Sequence, residues 1–338
     1  MDKNHNVIGL DIGGTKCAVT LGNLCGEVLL KKACATDITE SPNDVMQHLL
    51  CIIDEILQEQ RLTTKDISAV GISCGGPLNS KDGIIMSPPN LPLWDNVKIT
   101  DFFNEKLGVP TFLQNDANAC ALAEWRFGAG RGTTDMIFLT FGTGLGAGLI
   151  LNGNLYCGKT DLAGEVGHIS LSEDGPIGYG KKGSFEGFCS GAGIKKQAIT
   201  AIKNRLSSGR PIGFAAQLAH IEDVSAKDVC IAAENKDEFA IEIIDECAEY
   251  LGRGIAVLID VLNPEMIVIG SVYARSENIF REKTQKAIDK YALSLSAKVC
   301  RICAAELTRT EQLGDIAALT VAAEGLRAQI CARNGENL

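Results

Sequence analysis

The apolar segment VIGLDI at 7–12 stops at GGTK and resumes as CAVTLGN, and the same plan recurs at 136–141, where MIFLTF stops at GTGLGAG and resumes as LILNGNLY. Two strands joined through a tight glycine turn form a hairpin. The exposed backbone N–H groups of such a turn can cradle phosphate. Two of these units in one chain point to two domains of related design. The Asn-Gly of LILNGNLY adds a further hairpin signal.

Between the two units, Ser41-Pro42 reads as an N-cap and first helical residue. The helix it opens has apolar residues at 45, 46, 49, 50, 52, 53, 56 and 57. SAVGISCGGP reads as a buried strand that ends in another glycine turn. ANACALAEWRF reads as a helix closed by Gly128. From Ala226 onward the pattern is mostly helical, interrupted by a strand MIVIG (266–270) and a strand KVCRICA (298–304), which would hold both Cys300 and Cys303. An alanine-rich helix closes the chain. The expected division is a first domain of residues 1–117 plus 312–338, with the last helix crossing back, and a second of 118–311.

With 338 residues, 46% of them hydrophobic, the chain has ample material for two packed cores. Its net charge of -10 argues against nucleic acid or an anionic membrane as partner, since both demand clustered Lys and Arg. The 13 cysteines are scattered singly through apolar runs such as HLLCIID, which suits small buried hydrophobes in a reducing cytosol. The chain start has no signal-peptide pattern and no apolar run is long enough to span a membrane, so the expectation is a cytoplasmic enzyme.

Two nucleotide motifs fail when tested. In GTGLGAG, Ala147 stands where the dinucleotide fingerprint needs glycine, and a strand follows where that fold needs a helix. GPIGYGKK (175–182) is a near-miss P-loop, with Lys182 where the Mg²⁺-binding hydroxyl belongs. DIGGTK does better. Asp11 closes an apolar strand and could hold Mg²⁺ through water, while Gly13, Gly14, Thr15 and Lys16 could meet phosphate oxygens. Two ordinary hairpins remain the alternative on spacing alone.

QNDANACALAEWRFGAG (114–130) sets Asn115 and Asp116 at the mouth of a helix. An N-cap with no further role explains them equally well. In the functional reading Asp116, kept ionised by the helix N-terminus, accepts a proton from a sugar hydroxyl late in the reaction, as charge develops.

LDIGGTK, NLPLWDN (90–96), NDANACALAEWRFGAG, GTGLGAGLILNGNLYCG, AGEVGH and LGRGIAVLIDVLNPEMIVIG occur in this order. Together they make the chain resemble the repressor/open-reading-frame/kinase (ROK) family of sugar kinases, from about residue 6 to residue 325. The resemblance implies the actin-like ATPase fold: two α/β domains of ribonuclease-H-like topology with the active site in the cleft between them. It implies ATP, with Mg²⁺, against Asp11, Gly13, Gly14, Thr15 and Lys16 and against Gly142, Thr143 and Gly144. The sugar would meet Asn115, Asp116, Glu165, His168 and Glu186, with Gly76 and Asn90 at the rim and Asp116 as catalytic base. Short carboxylates, amides and imidazole suit this task, because each sugar hydroxyl left unpaired lowers affinity.

The chain departs from its relatives in one stretch. Most carry a zinc loop C-x-C-G-x-x-G-C-x-E after the histidine; here Ile177, Tyr179 and Ser184 stand where the three cysteines belong. Isoleucine cannot ligate zinc and neutral hydroxyls do so poorly, so no zinc site is expected. The loop would keep its path by other means, with Tyr179 and Phe185 packing in place of metal bonds. The reading is an ATP-dependent glucose 6-kinase, with an N-acetylglucosamine or N-acetylmannosamine kinase as alternative and a homodimer expected. A sugar-sensing repressor would need a DNA-binding domain, and only six residues precede the first phosphate strand.

Overall fold

The computed structural model describes residues 5–310 and 312–334. The chain forms two compact units. The first comprises residues up to Gly132, Gly148–Ala163 and the chain from Thr310; the second comprises Thr133–Ala147 and Gly164–Arg309. The division falls later than residue 117, because the helix at Asp116–Phe127 packs against the closing helix at Leu313–Asn334.

The first unit opens with β1 (Asn6–Ile12), β2 (Lys16–Asn23) and β3 (Val28–Ala35), all antiparallel neighbours. Helix α1 (Pro42–Glu59) follows, capped by Ser41, whose side chain accepts the Asp44 N–H. Its buried face is Val45, Met46, Leu49, Ile52, Ile53, Ile56 and Leu57, the periodic set read from the sequence with Leu50 only partly buried. Each such side chain contributes about 1.5–3 kcal/mol by burial. β4 (Ile67–Cys74) lies parallel to β1, and three short strands, β5 (Leu78–Asn79), β6 (Ile84–Ile85) and β7 (Val97–Lys98), form a small sheet of their own. α2 (Ile99–Leu107) then leads to β8 (Thr111–Asn115), parallel to β4, and directly into α3 (Asp116–Phe127). The main sheet order is β3-β2-β1-β4-β8.

The closing helix, α11 (Leu313–Asn334), covers the face of this sheet opposite α1 and packs on β1, β4 and α3. Close approach requires glycine in the sheet. A Cβ at Gly71 would stand 2.2 Å from the Ala318 carbonyl oxygen and 2.4 Å from the Ala322 nitrogen, both helix backbone.

The second sheet has the order β11-β10-β9-β14-β15. Its strands are β9 (Met136–Phe141), β10 (Leu145–Leu151), β11 (Asn154–Leu155), β14 (Met266–Ile269) and β15 (Arg301–Ala304), with β9, β14 and β15 mutually parallel. β10 and β11 are antiparallel, joined by Asn152 and Gly153 with φ of 51° and 72°. Positive φ at both central residues is the type I′ hairpin that Asn-Gly signals. β10 begins at Leu145, inside the run expected to be all turn.

Apart from β9, β14 and β15, the second unit is mainly helical: α4 (Phe185–Phe188), α5 (Gly191–Ser207), α6 (Ala226–Glu234), α7 (Glu238–Leu262), α8 (Ser271–Arg275), α9 (Glu277–Tyr291) and α10 (Ser294–Val299). α7 and α9 cross closely, with no room for a Cβ at Gly252, which would lie 2.4 Å from the Ala287 Cβ. A two-stranded hairpin, β12 (Ile177–Gly178) and β13 (Lys181–Lys182), stands in the loop before α4. The strand expected over 298–304 is two pieces. Lys298 and Val299 end α10, Cys300 is its C-cap, and only Arg301–Ala304 pairs with β14, so Cys303 alone is a strand cysteine. Among the described residues no helix is long and apolar enough to cross a membrane.

Candidate active site

The glycine turn after β1 is closed by the Gly13 N–H donating to the Lys16 carbonyl at 3.1 Å. Thr36 steadies it from β3's end, its hydroxyl donating to the Gly13 carbonyl at 2.7 Å. Thr15 and Lys16 are exposed beyond the turn. Gly14 lies flat against Asn90: a Cβ there would stand 2.6 Å from the Asn90 carbonyl oxygen. Asn90 also lies over Gly75, and Gly76 faces the Asn115 side-chain nitrogen, which a Cβ would approach to 3.1 Å. Gly14, Gly76, Asn90 and Asn115 therefore surround one spot at the ends of β1, β4 and β8.

Asn115 is the N-cap of α3, accepting the Ala117 N–H at 2.9 Å. Asp116 is the first helical residue and is exposed, with its carboxylate also within 2.8 Å of the Ala117 nitrogen. The cap is Asn115; Asp116, one residue inside the helix, lies at the surface with a fixed backbone. Asp11, near the end of β1, is lifted from 3.8 to about 6, first by burial and then by the charges of Asp116 and Asp315, with Lys31 and Lys16 opposing. Asp315 was not singled out from the sequence. Its only signal was an acid in the first turn of an alanine-rich helix. It is buried, ion-paired with Lys31 at 2.6 Å and hydrogen-bonded by Thr20 at 3.2 Å.

Asp116 and Asp315 thus both bear on Asp11 in the first unit. A divalent cation at Asp11 would relieve that repulsion, so the residues present fit a cation held there.

In the second unit, the turn Gly142-Thr143-Gly144 hands its carbonyls to the start of α5. The Gly191 N–H donates to Gly142 at 2.7 Å and the Ala192 N–H to Thr143 at 3.3 Å. Glu186 buttresses the same turn. Its carboxylate accepts the Leu145 N–H at 3.0 Å and lies against Gly144, where a Cβ would come within 2.7 Å of it. Gly167 packs on the Leu145 carbonyl and the Glu186 Cβ, so the 164–168 loop and Glu186 share one neighbourhood. On that loop Glu165 and His168 are both exposed, with 3.9 Å between Oε2 and Nε2.

The loop between His168 and α4 is ordered by backbone and ring contacts. Gly183 receives hydrogen bonds from the Leu171 and Ser172 amides and donates to Pro176, and the Phe185 N–H donates to Ile169. Ser184 is buried as the N-cap of α4, and Ile177 and Tyr179 are exposed. Phe185 is buried against Gly254, as expected of a packing residue, and Phe188 stacks on Tyr250 with ring centroids 3.4 Å apart. The Phe188 contact was not foreseen. Tyr179 meets His168 edge to face at 5.0 Å. Among the described residues no three or more His, Cys, Asp or Glu side chains gather to hold a metal. The chemistry at 177, 179 and 184 does not fit zinc.

A glycine turn leaving the first strand of a β3-β2-β1-β4-β8 sheet, with a carboxylate at the start of the helix that follows β8, is the build of the actin-like ATPase fold, and the chain has it. It belongs to the ROK family, whose family model matches residues 7–322. The chain is similar to the glucokinase of Thermotoga maritima, 33% identical over 84% of this chain and 87% of that relative. Among solved structures, it is similar to a ROK family transcriptional regulator homologous to the Escherichia coli MLC protein, with a TM-score of 0.82 at 27% identity, covering 94% of this chain and 78% of that one. It is also similar to a ROK family glucokinase from Streptomyces griseus in complex with glucose and AMPPNP, with a TM-score of 0.77 at 26% identity, covering 94% and 99%.

Proposed function

We propose that the protein is an ATP-dependent hexokinase that phosphorylates glucose at its 6-hydroxyl. The observation that carries this reading is the convergence of Asn90, Gly76, Asn115 and Asp116 beside the glycine turn of β1, where Asp11 feels the charge of Asp116. Asp116 accepts the hydroxyl proton, and Asn115 and Asn90 orient the ring by pairing neighbouring hydroxyls. Gly13, Gly14, Thr15 and Lys16 bind phosphate oxygens from one turn, and Gly142, Thr143 and Gly144 from the other, which Glu186 holds in shape. Glu165 and His168 complete the sugar contacts. Asp11 would hold Mg²⁺, which when bound would neutralise charge on the phosphates.

Support also comes from the similarity to glucokinases. A sugar-responsive regulator is the second reading, favoured by the similarity to the MLC-type regulator. ADP release measured across glucose, N-acetylglucosamine, N-acetylmannosamine, mannose and fructose separates them, because a regulator binds sugar without turnover. The expected result is turnover with glucose and a fall of about 10²–10⁴-fold in kcat for Asp116→Asn, the range for loss of a general base. No turnover with any sugar, or full activity in the variant, refutes the proposal.

A further inference from the structure

We infer that Tyr179 is the positioning residue for His168, its ring fixing the orientation of the imidazole that receives the sugar. The kinetic part of this inference rests on the hexokinase reading; the geometric part does not.

His168 lies in a single turn of helix at Val166–His168 and its side chain is 45% exposed. Glu165, at 3.9 Å, is beyond hydrogen-bond range of its Nε2. The ring contact comes from Tyr179, edge to face at 5.0 Å and an interplanar angle of 80°. This is the favoured geometry for an aromatic pair, in which the positive edge of one ring meets the negative face of the other.

Position 179 is an unsuitable place for a tyrosine on grounds of folding. Tyr179 and Gly180 are the two central residues of the β12–β13 hairpin, with φ of 43° and 76°. A type I′ turn wants Asn or Asp before its glycine, and a bulky aromatic side chain is disfavoured at positive φ. Nor does the ring fill a core, since Tyr179 is 66% exposed. A residue that suits neither the turn nor the core is accounted for by what it touches, which is His168.

The hairpin carrying the ring is fastened at several points. Lys181 Nζ donates to the His168 carbonyl at 2.7 Å, tying the hairpin to the histidine's own backbone. Lys196 donates to the Ile177 carbonyl at 2.8 Å, and Lys182 pairs with Asp174 at 2.5 Å. Backbone and ring of the pair are thus held by the same two-stranded element.

The test compares the full-length wild type with Tyr179→Asn and Tyr179→Phe. Asparagine suits the positive φ, so the first variant removes the ring without straining the turn, and its melting temperature should equal or exceed that of the wild type. The chain has 4 histidines, and the His168 ring signals in proton NMR are assigned by comparison with His168→Gln. We expect those signals to keep their positions in Tyr179→Phe and to move in Tyr179→Asn as the ring current is lost. We expect the KM for sugar to rise roughly two- to tenfold in Tyr179→Asn, the range an edge-to-face pair supports, with kcat and the KM for ATP unchanged and with Tyr179→Phe close to wild type. Unmoved His168 signals in Tyr179→Asn overturn the inference, as does an equal rise in sugar KM in the phenylalanine variant. A wild type without turnover refutes the hexokinase reading alone, and the NMR comparison then decides this one.

Discussion

Replacing Asp11 with asparagine should stabilise the protein while removing a group the proposed reaction needs. In the folded state burial and the charges of Asp116 and Asp315 lift the Asp11 carboxyl from 3.8 to about 6. The folded state therefore binds this proton more tightly than the unfolded chain. The penalty for ionising Asp11 is fully present above about pH 7 and is released as pH falls through 6 toward 4. A rise of that size corresponds to about 3 kcal/mol near pH 7.5 and to about 1 kcal/mol near pH 4.5. Asp11→Asn has no such penalty at any pH. At the upper pH its melting midpoint should exceed that of the wild type by about 6–12 °C, the shift expected for a domain of this size. At the lower pH the gap should shrink to about a third. Differential scanning fluorimetry across this range, without added nucleotide or metal, is the assay. An asparagine variant no more stable than wild type near pH 7.5, or a gap that does not narrow on acidification, refutes the argument that Asp11 is held ionised against its surroundings.

Two further outcomes are expected. Gly71→Ala puts a methyl group into the backbone of α11, which cannot move aside as a flexible side chain can, and should cost about 3 kcal/mol, read as a lowered urea midpoint. Protein purified without added zinc should contain substoichiometric zinc by elemental analysis and should melt at the same temperature with and without EDTA; one zinc per chain would contradict the chemistry of Ile177, Tyr179 and Ser184.

Sequence periodicity made α1, α3 and both glycine hairpins legible, because each is signalled locally: a Ser-Pro start, a Gly128 stop, an Asn-Gly turn. What escaped is set by contacts distant in sequence. Asp315 bears on Asp11 because α11 returns to the first sheet, and no local pattern announces that the acid in its first turn will be buried. A division at residue 117 leaves out the packing of α3 on the same returning helix, a contact distant in sequence. Cys300 looked like a strand residue because a short apolar run reads alike in a strand and at a helix end. The loop after His168 is legible mainly by what it lacks; of the two side chains expected to pack in place of metal bonds, Phe185 is buried and Tyr179 is exposed. The Phe188–Tyr250 stack was invisible because Tyr250 lies on α7, far along the chain.

The return of α11 also sets an order of events during synthesis. Val7 and Ala69 on the open side of the first sheet are covered by Leu319 and Ala322, which leave the ribosome only after the whole second unit has been made. The unit translated second can finish folding first. Until then the first sheet waits with one apolar face bare, a stretch of time in which a chaperone, or another nascent chain, competes with the protein's own last helix.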